Sequence, residues 1–192
     1  MPSTEVVTLR ISFDVDNDSP MLSWSMKVGD ETISPYKGTY TGSVQFYAED
    51  EVALVVVGHG RATSFKSFQV VDCCLVTVPQ VVYRRVGRPT RYAQPSPFVQ
   101  VAGASYMFSN DFSSHSVMND EVRTVEQHWK ETLNIASSLG RWDMSLVLTV
   151  KILRGLQDAP EVRVFRFDPE TQVGNGTRPR IALTESQEEN LV

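Results

Sequence analysis

Cysteine is scarce in this chain: there are two, Cys73 and Cys74, and they are neighbours. On a strand, adjacent side chains point to opposite faces, so this pair cannot close an ordinary structural disulfide. Without a CxxC spacing or further cysteines there is no zinc-ribbon or redox pattern either. Free thiols of this kind fit a reducing compartment. Histidine is almost as rare, with only His59, His115 and His128. The chain has no G-x-S-x-G elbow and no H-E-x-x-H, so neither a serine-hydrolase nor a zincin signature is present. A hydrolytic role for His59 or His128 therefore has no motif behind it. No apolar run approaches the roughly 18 residues that a membrane helix needs. The opening MPSTEVVTLRISFDVD has no basic head followed by an apolar core and a small-residue cleavage site. These absences lead us to expect a soluble, cytoplasmic protein with no membrane partner. Basic excess is missing too: 18 Lys and Arg against 23 Asp and Glu leave a net charge of −5, which argues against a general nucleic-acid binder.

What is present is strand periodicity. Leu9, Ile11, Phe13 and Val15 alternate with Thr8, Arg10, Ser12 and Asp14. Leu22, Trp24, Met26 and Val28 repeat the pattern, which is that of a strand with one buried face. Met144, Leu146, Leu148, Val150 and Ile152 alternate with Ser145, Val147, Thr149 and Lys151. A second run, Val162 to Phe167, follows and is ended by Asp168-Pro169, because proline has no N–H to give a ladder. Residues 141–177 thus predict a core hairpin. Ser43 to Ala48 and Val52 to Gly58, separated by Glu49-Asp50-Glu51, suit a tight hairpin. Ala53 to Val57 is continuously apolar and predicts a central strand covered on both faces. Residues 109–119 read as polar loop. Between 120 and 130, Val122, Val125 and Trp129 fall at helical spacing, with Asn119 as a cap, so one short helix is expected there. Residues 129–135 also alternate, which leaves a hairpin open for the second half.

About nine short strands with regular turn signals and at most one helix predict an all-β, single-domain antiparallel β-sandwich, immunoglobulin-like or jelly-roll-like. In 192 residues one core suffices. The domain is expected over 1–180, with 181–192 a polar, acidic C-terminal tail.

Two stretches could bind something. Asp14, Asp16 and Asp18 stand at alternate positions, and alternate carboxylates can offer oxygens to calcium. The EF-hand pattern fails, because Ser19 stands where that loop needs glycine; the competing reading is a strand end breaking into an Asx turn. No other cofactor is suggested. Residues 79–103 hold four prolines and four arginines. Arg84, Arg85, Arg88 and Arg91, flanked by Tyr83 and Tyr92, could grip phosphates, nucleic-acid bases or an acidic partner. The competing reading is a solvated loop or arginines paired with the chain's own carboxylates.

Gly38-Thr39-Tyr40, Glu49 to Gly58, Ser64-Phe65-Lys66-Ser67-Phe68, Trp129 to Asn134, Trp142 to Val150 and Phe167-Asp168-Pro169 stand in an order that resembles the AidA/PixA family of bacterial proteins. In that group PixA is an inclusion-body protein and AidA is linked to quorum sensing and nematode killing. The Arg84 to Arg91 insert and the segment past Gly174 depart from the family. The resemblance implies a non-enzymatic protein that accumulates in the cytoplasm and forms homo-oligomers. It also implies strand rather than helix over Trp129 to Ile135. It supplies no catalytic residues. A carbohydrate- or calcium-binding, lectin-like sandwich is the alternative.

Overall fold

The computed structural model describes residues 6–29, 31–33, 44–83, 91–119, 121–138, 140–155, 159–167 and 170–174. Among them there is no helix. The first strands are β1 (Val6–Asp14), β2 (Ser23–Val28), β3 (Glu31–Ile33), β4 (Val44–Tyr47) and β5 (Glu51–Arg61). Next come β6 (Ser67–Pro79), β7 (Val81–Tyr83), β8 (Arg91–Tyr92), β9 (Ser105–Met107) and β10 (Phe112–Asn119). The last are β11 (Val122–Trp129), β12 (Leu133–Asn134), β13 (Gly140–Leu153), β14 (Glu161–Phe167) and β15 (Glu170–Gly174).

One sheet runs β10-β11-β5-β1-β2-β3, with β12 added beside β5. The other runs β4-β15-β13-β6-β9, and β14 shares the β15 side of β13. Their apolar faces meet in one core, so the chain is an all-β sandwich, as the alternation predicted. Ile11, Val56, Met26, Leu146, Leu148, Val150 and Ile152 are completely buried in it. Phe13 stitches the sheets together, stacking on Phe165 at 4.5 Å and meeting Phe68 edge-on at 5.1 Å. Gly58 is required here: a Cβ would lie 2.9 Å from the Phe68 ring. At Gly60 a Cβ would run into Val15 and Phe65. Trp142 is fully buried and its indole N–H donates to the Gln94 carbonyl at 2.7 Å. No described helix is long and apolar enough to cross a membrane.

The predicted core hairpin is β13–β14, paired from Leu146↔Phe167 to Ile152↔Glu161. Other expectations are corrected. The sheets are mixed rather than purely antiparallel: β1 and β5 run parallel along nine residue pairs, and β15 runs parallel to β4. Residues 43–58 do not form a hairpin, because β4 lies in one sheet and β5 in the other. The chain crosses between layers at Glu49, whose φ is +72°, while the Asp50 carboxylate takes the Tyr47 N–H at 3.0 Å. The apolar run of β5 needs neighbours on both edges, and β1 and β11 supply them.

The helix expected near 120–130 is strand β11, and the expected polar loop before it is strand β10. Val125 and Trp129 are four residues apart, a spacing that satisfies one face of a helix and one face of a strand equally. Both are buried, whereas Val122, three residues from Val125, faces solvent as strand parity demands. Residues 175–192, and with them the expected tail, lie outside the described residues.

Candidate functional site

The two outward faces of the sandwich differ in chemistry. On the β13 sheet, odd-numbered β13 residues point outward and line up with β6, β9 and β14. One row reads Arg166, Val147, Cys74, Met107 and the next Val164, Thr149, Asp72. A third reads Val162, Lys151, Gln69, and Val78 stands beside Asp143. Val78, Met107, Val147, Leu153, Val162 and Val164 are all exposed, Val162 by 58% and Val164 by 56%. Exposed apolar side chains scattered singly are ordinary, but several gathered on one sheet face point to a contact surface. The β14 strand adds to it, for among the described residues β13 is the one strand it forms a ladder with. Its outward edge is engaged at Arg166, where the backbone N–H reaches the Pro20 carbonyl at 2.9 Å. Val162 and Val164 lie further along that edge.

Charge decorates this face in a particular order. Along β13 the outward residues are Asp143, Ser145, Val147, Thr149 and Lys151. Acid and base stand four residues either side of Val147, about 13 Å each way at strand rise.

The opposite face, on the β5 sheet, collects all three histidines, and Val6, Val117 and Val122 are also exposed on it. Arg10 on β1 reaches over β5 to place its Nη2 2.5 Å from Glu126 Oε1 on β11. Val55 lies between Arg10 and His128 in register, and Val57 beside Glu126. Both valines are buried although they point away from the core, at 5% and 0% exposed. The aliphatic stem of Arg10 accounts for that cover, since long charged side chains can lie along apolar surface while their heads stay wet. His128 Nε2 meets the other Glu126 oxygen at 3.0 Å. His115 on β10 pairs with Glu126 across the ladder, and its ring meets that of His128 edge-to-face at 5.0 Å. Hydrogen bonding from Arg10, and then from His128, holds the Glu126 carboxyl below its usual range despite burial. His59 is pushed down by burial first and by Arg10 next, and its Nδ1 lies 3.1 Å from Thr124 Oγ1.

The predicted site residues fall elsewhere. Asp14 Oδ1 accepts the Asp16 N–H at 2.8 Å and Asn17 Oδ1 the Ser19 N–H at 2.9 Å, which are Asx turns. Asp16 Oδ2 takes the Arg61 N–H at 2.9 Å, and Arg154 Nη1 lies 3.6 Å from Oδ1. The Arg61 N–H is the main cause that holds the Asp16 carboxyl low. The Asp16 carboxylate is thus committed to two arginines, and Asp14, Asp16 and Asp18 do not gather around a common point. Among the described residues no three His, Cys, Asp or Glu form a group that could hold a metal ion. Arg84, Arg85 and Arg88 lie outside the described residues. Tyr83 and Arg91 pair across the two-stranded β7–β8 ribbon, from which Tyr92 projects 64% exposed.

The histidine face escaped the sequence because residues 109–119 read as loop. Once β10 and β11 form a hairpin, parity alone puts His115 and His128 on one side. The apolar face was partly legible, since Val147 already stood on the outward side of the alternation.

No protein-family model matches the chain, and no curated protein sequence does. Among solved structures, the chain is similar to an inclusion body protein (PixA) from Burkholderia cenocepacia J2315, at 8% identity and a TM-score of 0.33. That match covers 90% of this chain and 96% of the other. A family 123 glycoside hydrolase from Clostridium perfringens is similar over 71% of this chain and 23% of its own, at 9% identity and a TM-score of 0.27.

Proposed function

We propose that this protein is a non-catalytic β-sandwich that assembles with further copies of itself through the outward face of the β13 sheet. The carrying observation is that Val78, Met107, Val147, Val162 and Val164 are all exposed on one sheet face. Along β13 the charges are antisymmetric about Val147, which suits a second copy, while Arg166, level with Val147, meets its own counterpart and its exposed side chain has to turn aside. A two-fold axis through Val147, across the strands, sets Asp143 of one copy against Lys151 of the other, twice. Two-fold contacts of this self-complementary kind are the commonest way homo-oligomers form. The sequence resemblance to the AidA/PixA family points the same way. Reduced Cys73 and Cys74 suit work in the cytoplasm.

The test is molar mass by light scattering across concentration on untagged protein. The wild type should rise from monomer to a discrete oligomer, and Val147→Glu with Val164→Glu should remain monomeric. Both side chains are exposed, so melting of the variant monomer should be unaltered. A wild type that stays monomeric at millimolar concentration, or a variant that assembles like it, would sink the proposal.

A second reading is a carbohydrate-binding ribbon, favoured by the exposed Tyr92 beside the arginine-rich segment of residues 84–91. Stacking of a ring on tyrosine would make Tyr92→Ala abolish any thermal shift that sugars induce.

A further inference from the structure

We propose that His115 and His128 form a two-imidazole chelate for one divalent transition-metal ion of the nickel or zinc class. The site is held by the β10–β11 hairpin. Its two donors stand on neighbouring strands, His115 opposite Glu126 and His128 opposite Ser113, so they are diagonal neighbours on one face. Ladder hydrogen bonds fix that relation before any ion arrives, and little order need be imposed on binding.

The ring spacing fits. With metal–nitrogen bonds of about 2.0–2.1 Å, each ring centroid sits roughly 3.2 Å from the ion, and cis ligands then have centroids about 4.5–5.2 Å apart. The observed separation is 5.0 Å. The rings are 84° apart in plane, edge to face, and rotation of the exposed His115 ring turns a nitrogen towards the shared position.

Glu126 provides the support that such sites use. Its Oε2 lies 3.0 Å from His128 Nε2, which places a proton on that nitrogen and leaves Nδ1 with the lone pair. Arg10 holds the other carboxylate oxygen, so Glu126 stays ionised and stays put. It orients His128 from behind and is a positioning residue. His59 is not a third donor, because its Nδ1 faces Thr124 and both burial and Arg10 set it apart. No group of three donors forms among the described residues, so water completes the coordination shell. The His128 side chain is 40% exposed and His115 is open to solvent, which lets the ion in directly. Imidazole is a good ligand for nickel and zinc, whereas calcium and magnesium prefer oxygen.

Calorimetric titration of untagged protein with Ni²⁺ tests this, in a Cys74→Ser background so that the half-buried thiol cannot compete. One ion per chain should bind in the micromolar range near pH 7.5. His115→Asn and His128→Asn should each weaken it at least tenfold, and Glu126→Gln should weaken it without altering stoichiometry. Absence of binding at millimolar Ni²⁺, or unchanged affinity in either histidine variant, overturns the proposal. Both histidines sit on the sheet opposite the proposed assembly face, so the assembly test stands or falls separately.

Discussion

Removing Glu126 should destabilise the protein by more than an exposed ion pair would. The Arg10–Glu126 pair spans β5 with side chains 29% and 24% exposed. Exposed pairs contribute about 0–1 kcal/mol. A hydrogen bond to a charged group contributes about 1.5–3 kcal/mol. Partial exposure sets the Arg10–Glu126 coupling between those limits, at about 1–2 kcal/mol in a double-mutant cycle of Arg10→Ala and Glu126→Ala. Glu126→Ala alone should cost about 2 kcal/mol, because it frees Arg10 from its station and wets Val55 and Val57. For a chain of this size that is about 4–8 °C in Tm. Urea denaturation followed by fluorescence is the assay. The pH dependence has a definite sign. The folded Glu126 carboxyl is held below its ordinary value, chiefly by Arg10. Its contribution is therefore complete above the unfolded value of about 4.3 and is lost as pH falls through the folded one. The gap between wild type and Glu126→Ala should persist from pH 7 down to about pH 5 and close in stronger acid. A coupling energy near zero, or a gap that widens in acid, would refute the account of this face.

Reversing charge on the other face gives a sharper check of assembly. Asp143→Lys and Lys151→Asp should each lower the oligomer fraction in light scattering, and the double variant should restore it, because the two-fold apposition is rebuilt with signs exchanged. The paired thiols should differ in reactivity: burial pushes the Cys73 thiol far up, whereas Cys74 is half-buried. One equivalent of a thiol reagent should react with native protein and two with unfolded protein, and two in the native state would contradict the strand parity. Phe165→Ala should cost about 3–5 kcal/mol in urea, since it empties the stack on Phe13 between the sheets.

How much of this could be read in advance follows from what each pattern depends on. The β13–β14 hairpin was visible because both faces of its residues obey a period of two, with a proline stop just beyond. The burial of Leu54 to Val57 was visible because a continuous apolar run needs cover on both sides. β11 was misread because Val125 and Trp129 satisfy two periods at once, and only pairing with β5 chooses between them. β10 was misread because an edge strand whose last six residues face solvent carries no apolar alternation at all.

The candidate sites divide along the same line. Asp14, Asp16 and Asp18 are local in sequence, and the structure engages Asp14 in an Asx turn and Asp16 with Arg61 and Arg154.

The sequence by itself determined an all-β chain, its inward-facing residues and its free adjacent thiols. Each of these depends on neighbours a few positions away, where strand parity and backbone chemistry leave little choice. Tertiary structure alone decided that β1 pairs parallel with β5, that Arg10 meets Glu126 across 116 positions, and that three scattered histidines share one face. Such long-range pairings are selected by how whole strands bury their apolar faces together, and no local pattern encodes that sum.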